Sequence, residues 1–287
     1  MQAGHGEPLY INVNMLAGNT FLITGIADEH SLAMYTAKEI IKEGGQVICT
    51  GLGETAFHGD LSDRARAFLN GTYQQFEDAV KKELPDSPCY TLDVTIDESI
   101  EEFALSLKEQ GIKLNGLLHA IAMDKTIRQK QVKPLIDVTR EEFCDTMDVS
   151  AYSLVRLTHF LLKHDVLAPA ASICSLSYIA AEKVTFHPYR NISIAKAALE
   201  RITIELADEL GKRNGTRVNA IRFSPFMGSK AGNATLTDRD IEISDKLSPL
   251  GNARPEDLAF EIVHLFRPNS RITGEIRHVD GGYHIMG

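Results

Sequence analysis

Residues 20–37 read TFLITGIADEHSLAMYTA, and this stretch decides the fold. The run Thr20–Thr24 is apolar or β-branched throughout and leads straight into Gly25. A short polar turn follows, and from Ser31 onward apolar residues recur at helical spacing. A glycine directly behind a strand, a polar turn and then a helix start turn backbone N–H groups towards a pyrophosphate. The full GxGxxG pattern is absent, leaving Gly25 with Ala27 and Ser31 as small neighbours. Taken alone, the stretch reads equally well as an ordinary strand-to-helix turn, with Ser31 as an N-cap and not a phosphate ligand.

Outward from it the same alternation repeats. Further strand-like runs are Gln46–Thr50, Cys89–Asp93, Asn115–Ile121, Ala171–Leu176, Thr216–Phe223 and Glu275–Val279. Helical stretches lie near 31–43, 97–110, 140–164, 190–212 and 255–266. Short, continuously apolar strands between helices predict an α/β fold, a Rossmann-type doubly wound parallel sheet of about seven strands. No repeat or linker divides the chain, so residues 18–287 read as one dinucleotide-binding catalytic domain. Residues 1–17 read as a loosely held N-terminal extension. Two segments break the rhythm. Residues 51–88 form an enlarged insertion with two helical pieces, Leu61–Phe68 and Thr72–Leu84. Residues 228–247 are polar, with Gly228 and Gly232, and read as a mobile substrate lid.

Composition narrows the partners. The chain has 287 residues and a net charge of -9, with no basic patch for nucleic acid or anionic lipid. No run approaches the length of a membrane span, and the first twenty residues lack a signal peptide's basic start and apolar stretch. The 4 cysteines are scattered without a CxxC pair, as in a reduced cytoplasmic protein. A small-molecule or carrier-bound substrate is expected, with no nucleic acid and no membrane.

Other strand ends would line the same crevice. Asp93-Val94 closes the third strand, where the carboxylate either accepts from an adenine amino group or caps the next helix. Ala120, Ile121 and Ala122 end the fourth with mostly small side chains beside which a ribose fits. The second ends Thr50-Gly51-Leu52-Gly53, with neither an acid for ribose hydroxyls nor a base for a 2′-phosphate at its tip. Glu54 lies just beyond, and Arg64 and Arg66 lie in the insertion.

Behind the fifth strand come Leu176-Ser177-Tyr178 and then Tyr189, Ser193 and Lys196. Seven residues of helix return Tyr189 and Lys196 to within about 20° of each other, ~10 Å apart along the axis. A Lys ammonium beside a tyrosine favours the phenolate and gives a proton donor or oxyanion stabiliser usable near neutral pH. Ser175 or Ser177 could hydrogen-bond a substrate carbonyl or merely satisfy backbone. His159 and His164 are five apart on one helix, on different faces, and no metal site is expected.

These residues resemble the short-chain dehydrogenase/reductase superfamily, and within it the divergent NADH-dependent enoyl-acyl-carrier-protein reductases. The resemblance runs from about Asn19 to Tyr283. Tyr189-x6-Lys196, the upstream Leu176-Ser177-Tyr178, Thr24–Ala27 with Ser31–Ala33, Asp148–Ser153, Arg217–Ile221 and His278–Gly282 carry it. It implies hydride delivery to the β-carbon of an enoyl thioester, in fatty-acid or related biosynthesis. Tyr189 would stabilise the enolate oxygen, Lys196 would hold the nicotinamide ribose and Tyr178 would shape the acyl side. Gly25, Ala27, Ser31, Leu32, Asp93, Val94, Ala120, Ile121, Ala122, Lys196 and Phe226 would line the NADH site, with NADPH as the other option. A homotetramer is implied as well. The chain departs from the family at Tyr35, where a glycine is usual, and at Gly228, where a threonine is usual. Tyr178 and Tyr189 are also one residue farther apart than usual, with His187-Pro188 supplying the extra residue. The polar 228–247 segment keeps a carbonyl reductase of a specialised pathway open, and Tyr35 with Gly228 keeps a non-catalytic nucleotide-binding regulator open.

Overall fold

Short runs of β-branched and aliphatic residues, apolar on both faces, build the centre of the molecule. The computed structural model describes residues 14–286. Its strands are β1 (Thr20–Ile23), β2 (Gln46–Gly51), β3 (Cys89–Thr91), β4 (Leu114–His119), β5 (Leu167–Ser177), β6 (Arg217–Phe223) and β7 (Ile276–Val279). They form one sheet in the order β3-β2-β1-β4-β5-β6-β7, every neighbouring pair parallel. The order reverses between β1 and β4, so a crevice opens beyond the C-terminal ends of those strands.

Two apolar layers cover the sheet. On one face α1 (Leu32–Lys42) and α9 (Pro255–Phe266) pack together with α2 (Asp63–Glu83), and the Phe21 and Phe266 rings stack 4.9 Å apart. On the other lie α3 (Asp97–Glu109), α5 (Ser153–Lys163) and α6 (Asn191–Asn214). Helix α4 (Arg140–Met147) runs into α5 through a π turn, Asp148–Tyr152. The Ser150 hydroxyl, carried by that turn, accepts the Met123 amide at 2.9 Å and donates to the Met123 carbonyl at 3.1 Å.

Several sequence expectations change here. The two helical pieces of the insertion are one 21-residue helix, α2, running through Gly71. Leu69, Phe76, Ala79 and Val80 bury one face of it against the sheet. Their burial outweighs the cost of about 1 kcal/mol for a helical glycine. The proposed extension is not loose throughout: residues 1–13 lie outside the described part, but Leu16 is fully buried in the core. Tyr35 does not crowd the sheet, because α1 packs through Ala33, Met34, Thr36, Ala37 and Ile40 while Tyr35 stays half-buried. The 228–247 segment is helical, α7 (Lys230–Thr235) and α8 (Asp238–Leu247), with N-caps from Ser229 and Thr237. Its glycines serve close approach: a Cβ on Gly232 would lie 1.8 Å from the Phe226 carbonyl oxygen, and one on Gly228 would enter the Phe226 ring.

Candidate active site

At the crevice the ends of β1 and β4 are stitched together. The Thr24 hydroxyl donates to the Leu118 carbonyl at 2.9 Å and accepts the Ala120 amide at 3.2 Å. Gly25 follows with φ +82°, and a Cβ there would sit 2.1 Å from the Ala120 carbonyl oxygen. Only glycine fits this combination of backbone angle and contact. The turn behind it is organised by Ser31, whose hydroxyl accepts from the Ala27 and Asp28 amides and donates to the Asp28 carboxylate. Ser31 therefore folds the turn without capping an α1 amide through its side chain. The first turn of α1 holds no acidic residue, so its amide end is left for an anion. The Gly25 cradle and this open helix end, with Leu32 half-buried beside it, fit a dinucleotide pyrophosphate.

The outer strand tips differ from the sequence expectation. Asp93 does not cap α3, whose N-cap is Ile96. One Asp93 oxygen accepts the Thr95 amide and hydroxyl; the other faces His58 from the insertion at 3.1 Å. The His58 Nδ1 accepts the Thr55 amide, so its Nε2–H donates to Asp93. Val94 beside it is buried. Glu54, just past β2, accepts from Arg66 Nε at 2.9 Å and from Asn70 at 3.4 Å. Arg66 is thus tied to a carboxylate, which lowers its availability to a 2′-phosphate.

Tyr178 follows the end of β5 and Tyr189 precedes α6; their ring centroids are 5.0 Å apart. The helical phasing argument for Tyr189 and Lys196 does not hold, because α6 starts only at Asn191. Arg190 between them has φ 53° and ψ -110°, so the chain turns sharply before the helix begins. Such backbone costs on the order of 1–3 kcal/mol and persists where the surroundings demand it. Lys196 sits one turn into α6 and donates to the Leu176 carbonyl at 2.8 Å and the Ile121 carbonyl at 3.3 Å. The lysine thereby reaches the strand end carrying Ala120, Ile121 and the exposed Ala122. Phe226, half-buried beyond β6, packs its ring against Phe223.

The electrostatics also correct the expectation of an activated phenolate. Burial pushes the Tyr189 hydroxyl above the ordinary tyrosine range, and the Asp240 carboxylate and Tyr283 add to the effect. Burial and Tyr189 do the same to Tyr178. Lys196, aimed at main-chain carbonyls, does not offset this; its own pKa is pushed down to about 8 by burial, partly countered by Glu200. Tyr189 is a neutral hydrogen-bond donor. Ser175 and Ser177 turn inward: Ser175 pairs with Thr203 at 3.2 Å and Ser177 donates to Glu200 at 2.6 Å. Glu200 in turn binds the Arg222 guanidinium through both oxygens, at 2.8 and 2.7 Å.

Three neighbours of the tyrosines went unread in the sequence. Tyr283, near the end of the sequence, is close enough to Tyr178 to help raise its hydroxyl's pKa. The His187 ring meets the Tyr189 ring edge-on, with centroids 5.1 Å apart. Asp240 of α8 lies 3.4 Å from His187 Nδ1. Asp240 and Tyr283 arrive from separate segments, so no local spacing marks them; for His187, two residues before Tyr189, the extra residue at His187-Pro188 is the one available signal. Elsewhere, His278, Asp280 and His284 bring possible ligand atoms within 4.8 Å of one another. The two imidazoles stack at 3.8 Å and 19°, so their in-plane lone pairs run parallel and do not converge on one ion.

Comparison with known proteins agrees with this geometry. The family model described as Enoyl-(Acyl carrier protein) reductase matches residues 25–284. The enoyl-[acyl-carrier-protein] reductase [NADH] FabI of Aquifex aeolicus is 36% identical over 277 residues, covering 96% of this chain and 94% of that protein. The Bacillus cereus FabI is 30% identical, covering 96% of this chain and 100% of its own length. Among solved structures, the FabI–NADH complex of Alistipes finegoldii superposes with a TM-score of 0.81 at 26% identity, covering 96% of this chain and 90% of that one. The Aquifex aeolicus enzyme gives a TM-score of 0.79 at 33% identity, covering 95% and 99%. The chain therefore belongs to the enoyl-(acyl carrier protein) reductase family.

Proposed function

We propose that this protein reduces the carbon–carbon double bond of an enoyl thioester with NADH, in fatty-acid or related biosynthesis. The observation that carries the reading is the Tyr178–Tyr189 ring pair beyond β5, with Lys196 reaching the Leu176 and Ile121 carbonyls at the strand ends next to the Gly25 cradle. When bound, NADH supplies a hydride for the β-carbon. Gly25, Ala27, Ser31 and Leu32 would hold its pyrophosphate end, Asp93 and Val94 the adenine, and Ala120, Ile121 and Ala122 the ribose side. Phe226 would border the nicotinamide. Charge then develops on the thioester oxygen, two carbons from the site of reduction. Tyr189, kept protonated by burial, donates a hydrogen bond to that oxygen. Tyr178 shapes the acyl side, and residues 228–247 act as the lid that excludes water. The Glu54–Arg66 pair supports NADH over NADPH.

Lys196 gives this reading a pH signature. Its ammonium would exchange the Leu176 and Ile121 carbonyls for ribose hydroxyls. With a pKa of about 8 in the free enzyme, the binding form is present below that value and lost as pH rises through it. NADH affinity should therefore weaken above pH about 8, by at most about tenfold per unit. Lys196→Met should bind more weakly at low pH and lose that dependence. Fluorescence titration of NADH from pH 7 to 9.5 measures both, and the same pH dependence in the variant would remove Lys196 from the ribose.

Oxidation of NADH across enoyl thioesters, ketones and aldehydes tests the chemistry, and turnover of ketones alone would favour the carbonyl reductase reading. The half-buried His187–Asp240 pair beside Tyr189 puts polar groups at the acyl end. Efficiency should accordingly be highest for short or polar acyl groups; a steady rise towards long saturated chains would contradict this. The carrier is an acyl carrier protein or a small thiol. A homotetramer is supported by the exposed apolar side chains of Phe143, Tyr152, Ile194 and Ile204 on α4, the π turn and α6. A solution mass of 31.7 kDa by light scattering would contradict it. Among the described residues no helix is long and apolar enough to cross a membrane, which is compatible with a cytoplasmic location.

A further inference from the structure

The link between the two tyrosines carries an imidazole set against a carboxylate. His187 Nδ1 lies 3.4 Å from the Asp240 carboxylate, and both side chains are only 12% exposed. Asp240 is the third residue of α8 and is itself fixed, accepting the Thr237 amide at 2.8 Å and the Thr237 hydroxyl at 2.6 Å. Burial raises the Asp240 carboxyl, but the Thr237 donors and His187 more than offset this and keep it ionised. An anion in the first turn of a helix also meets the positive end of the dipole.

The same imidazole bears edge-on on Tyr189 at 77°, while the ring of Tyr178 lies 5.0 Å from Tyr189. Tyr189 is therefore bounded by two rings with different anchors. Tyr178 is carried by the end of β5, a central strand. His187 is anchored to α8, across a gap of more than fifty residues in sequence. The Nε2 atom of His187 is buried without a hydrogen-bond partner. A buried ring nitrogen without a partner is unfavourable, so the imidazole is kept there by its other contacts. Those contacts are the Asp240 carboxylate and the Tyr189 ring. The Arg190 backbone, strained just beyond Tyr189, cannot by itself hold the phenol in one place.

We propose that His187, held by Asp240, is a positioning residue that sets the Tyr189 hydroxyl only when α8 is seated over the site. This rests on Tyr189 acting as the oxyanion donor. The imidazole touches neither hydride nor thioester; it fixes the donor that does. Seating of the lid and readiness of the phenol become one event, because the same carboxylate that starts α8 holds the ring that bounds Tyr189.

The test is a kinetic cycle on full-length enzyme. His187→Ala and Asp240→Asn should each lower kcat about tenfold or more, with NADH affinity by fluorescence titration unchanged. The double variant should match either single one, since both break the same pair. His187→Asn keeps a donor for Asp240 but removes the ring, and should stay as slow as His187→Ala; recovery of kcat would overturn the proposal. In a Tyr189→Phe background, His187→Ala should have no further effect. An equal further loss there would assign His187 to lid stability instead, and so overturn the proposal. If Tyr189→Phe alone is slow while His187→Ala is fully active, the positioning role fails and the oxyanion assignment stands. If Tyr189→Phe is fully active, the assignment itself fails.

Discussion

Replacing Tyr189 by phenylalanine is expected to lower kcat on an enoyl thioester by about 100- to 1,000-fold, the range for loss of one oxyanion donor. NADH affinity should hardly change. The reason lies in what the substitution removes and what it leaves. The ring still packs between Tyr178 and His187, so the local fold persists. The hydroxyl alone is lost, and it is a donor whose proton burial retains. An interaction made chiefly in the transition state lowers kcat and kcat/KM together without weakening ground-state binding. Steady-state kinetics paired with an NADH titration reads both quantities. Unchanged turnover would leave Tyr178 or Tyr283 as the donor.

Gly25→Ala should be the most damaging small substitution in the cofactor cradle. The new methyl would lie 2.1 Å from the Ala120 carbonyl oxygen, and that carbonyl belongs to backbone that cannot swing aside. The φ of +82° adds strain for any residue with a Cβ. Strain and overpacking together should cost about 2–5 kcal/mol. If the chain still folds, the ends of β1 and β4 must part, and NADH affinity should fall at least about tenfold, as ~1.4 kcal/mol of lost binding implies. Thermal melting followed by calorimetry, with and without NADH, separates the two effects. A variant melting within a degree or two of the parent and binding NADH normally would show that the two strand ends are free to separate.

The strands were legible because a sheet covered on both faces demands continuous apolar runs, and each of the seven runs lies in a strand of the sheet. Tyr178, Tyr189 and Lys196 stand out through their spacing and family resemblance, yet helical phasing does not account for that spacing. A seven-residue interval suggests two turns of helix, but Arg190 breaks the helix between the partners, and a positive φ at a non-glycine residue has no sequence signature. Helix α2 shows the opposite case. Gly71 reads as punctuation, yet burial of Phe76 and Val80 a few residues later decides the matter from outside the local window. The polar character of 228–247 was read as looseness; Thr237 and Asp240 spend it on a reciprocal cap. Asp240 and Tyr283 meet the tyrosines only through tertiary structure. A contact between residues fifty or a hundred apart leaves no periodicity for either one.

The π turn at Asp148–Tyr152 has a consequence for engineering this scaffold. A π turn holds one residue more than an α-helix of the same rise needs. Removing one residue within 148–152 would let α4 and α5 join as a continuous α-helix, with each half keeping its buried face. What would be lost is the bulge that aims Ser150 at both the amide and the carbonyl of Met123. The loop after β4 would then be released from the helix behind it while the sheet itself stayed intact. That one-residue deletion is thus a dial: it loosens the loop carrying Ile121 and Ala122, the residues proposed for the ribose side, without altering a single side chain proposed to touch the cofactor.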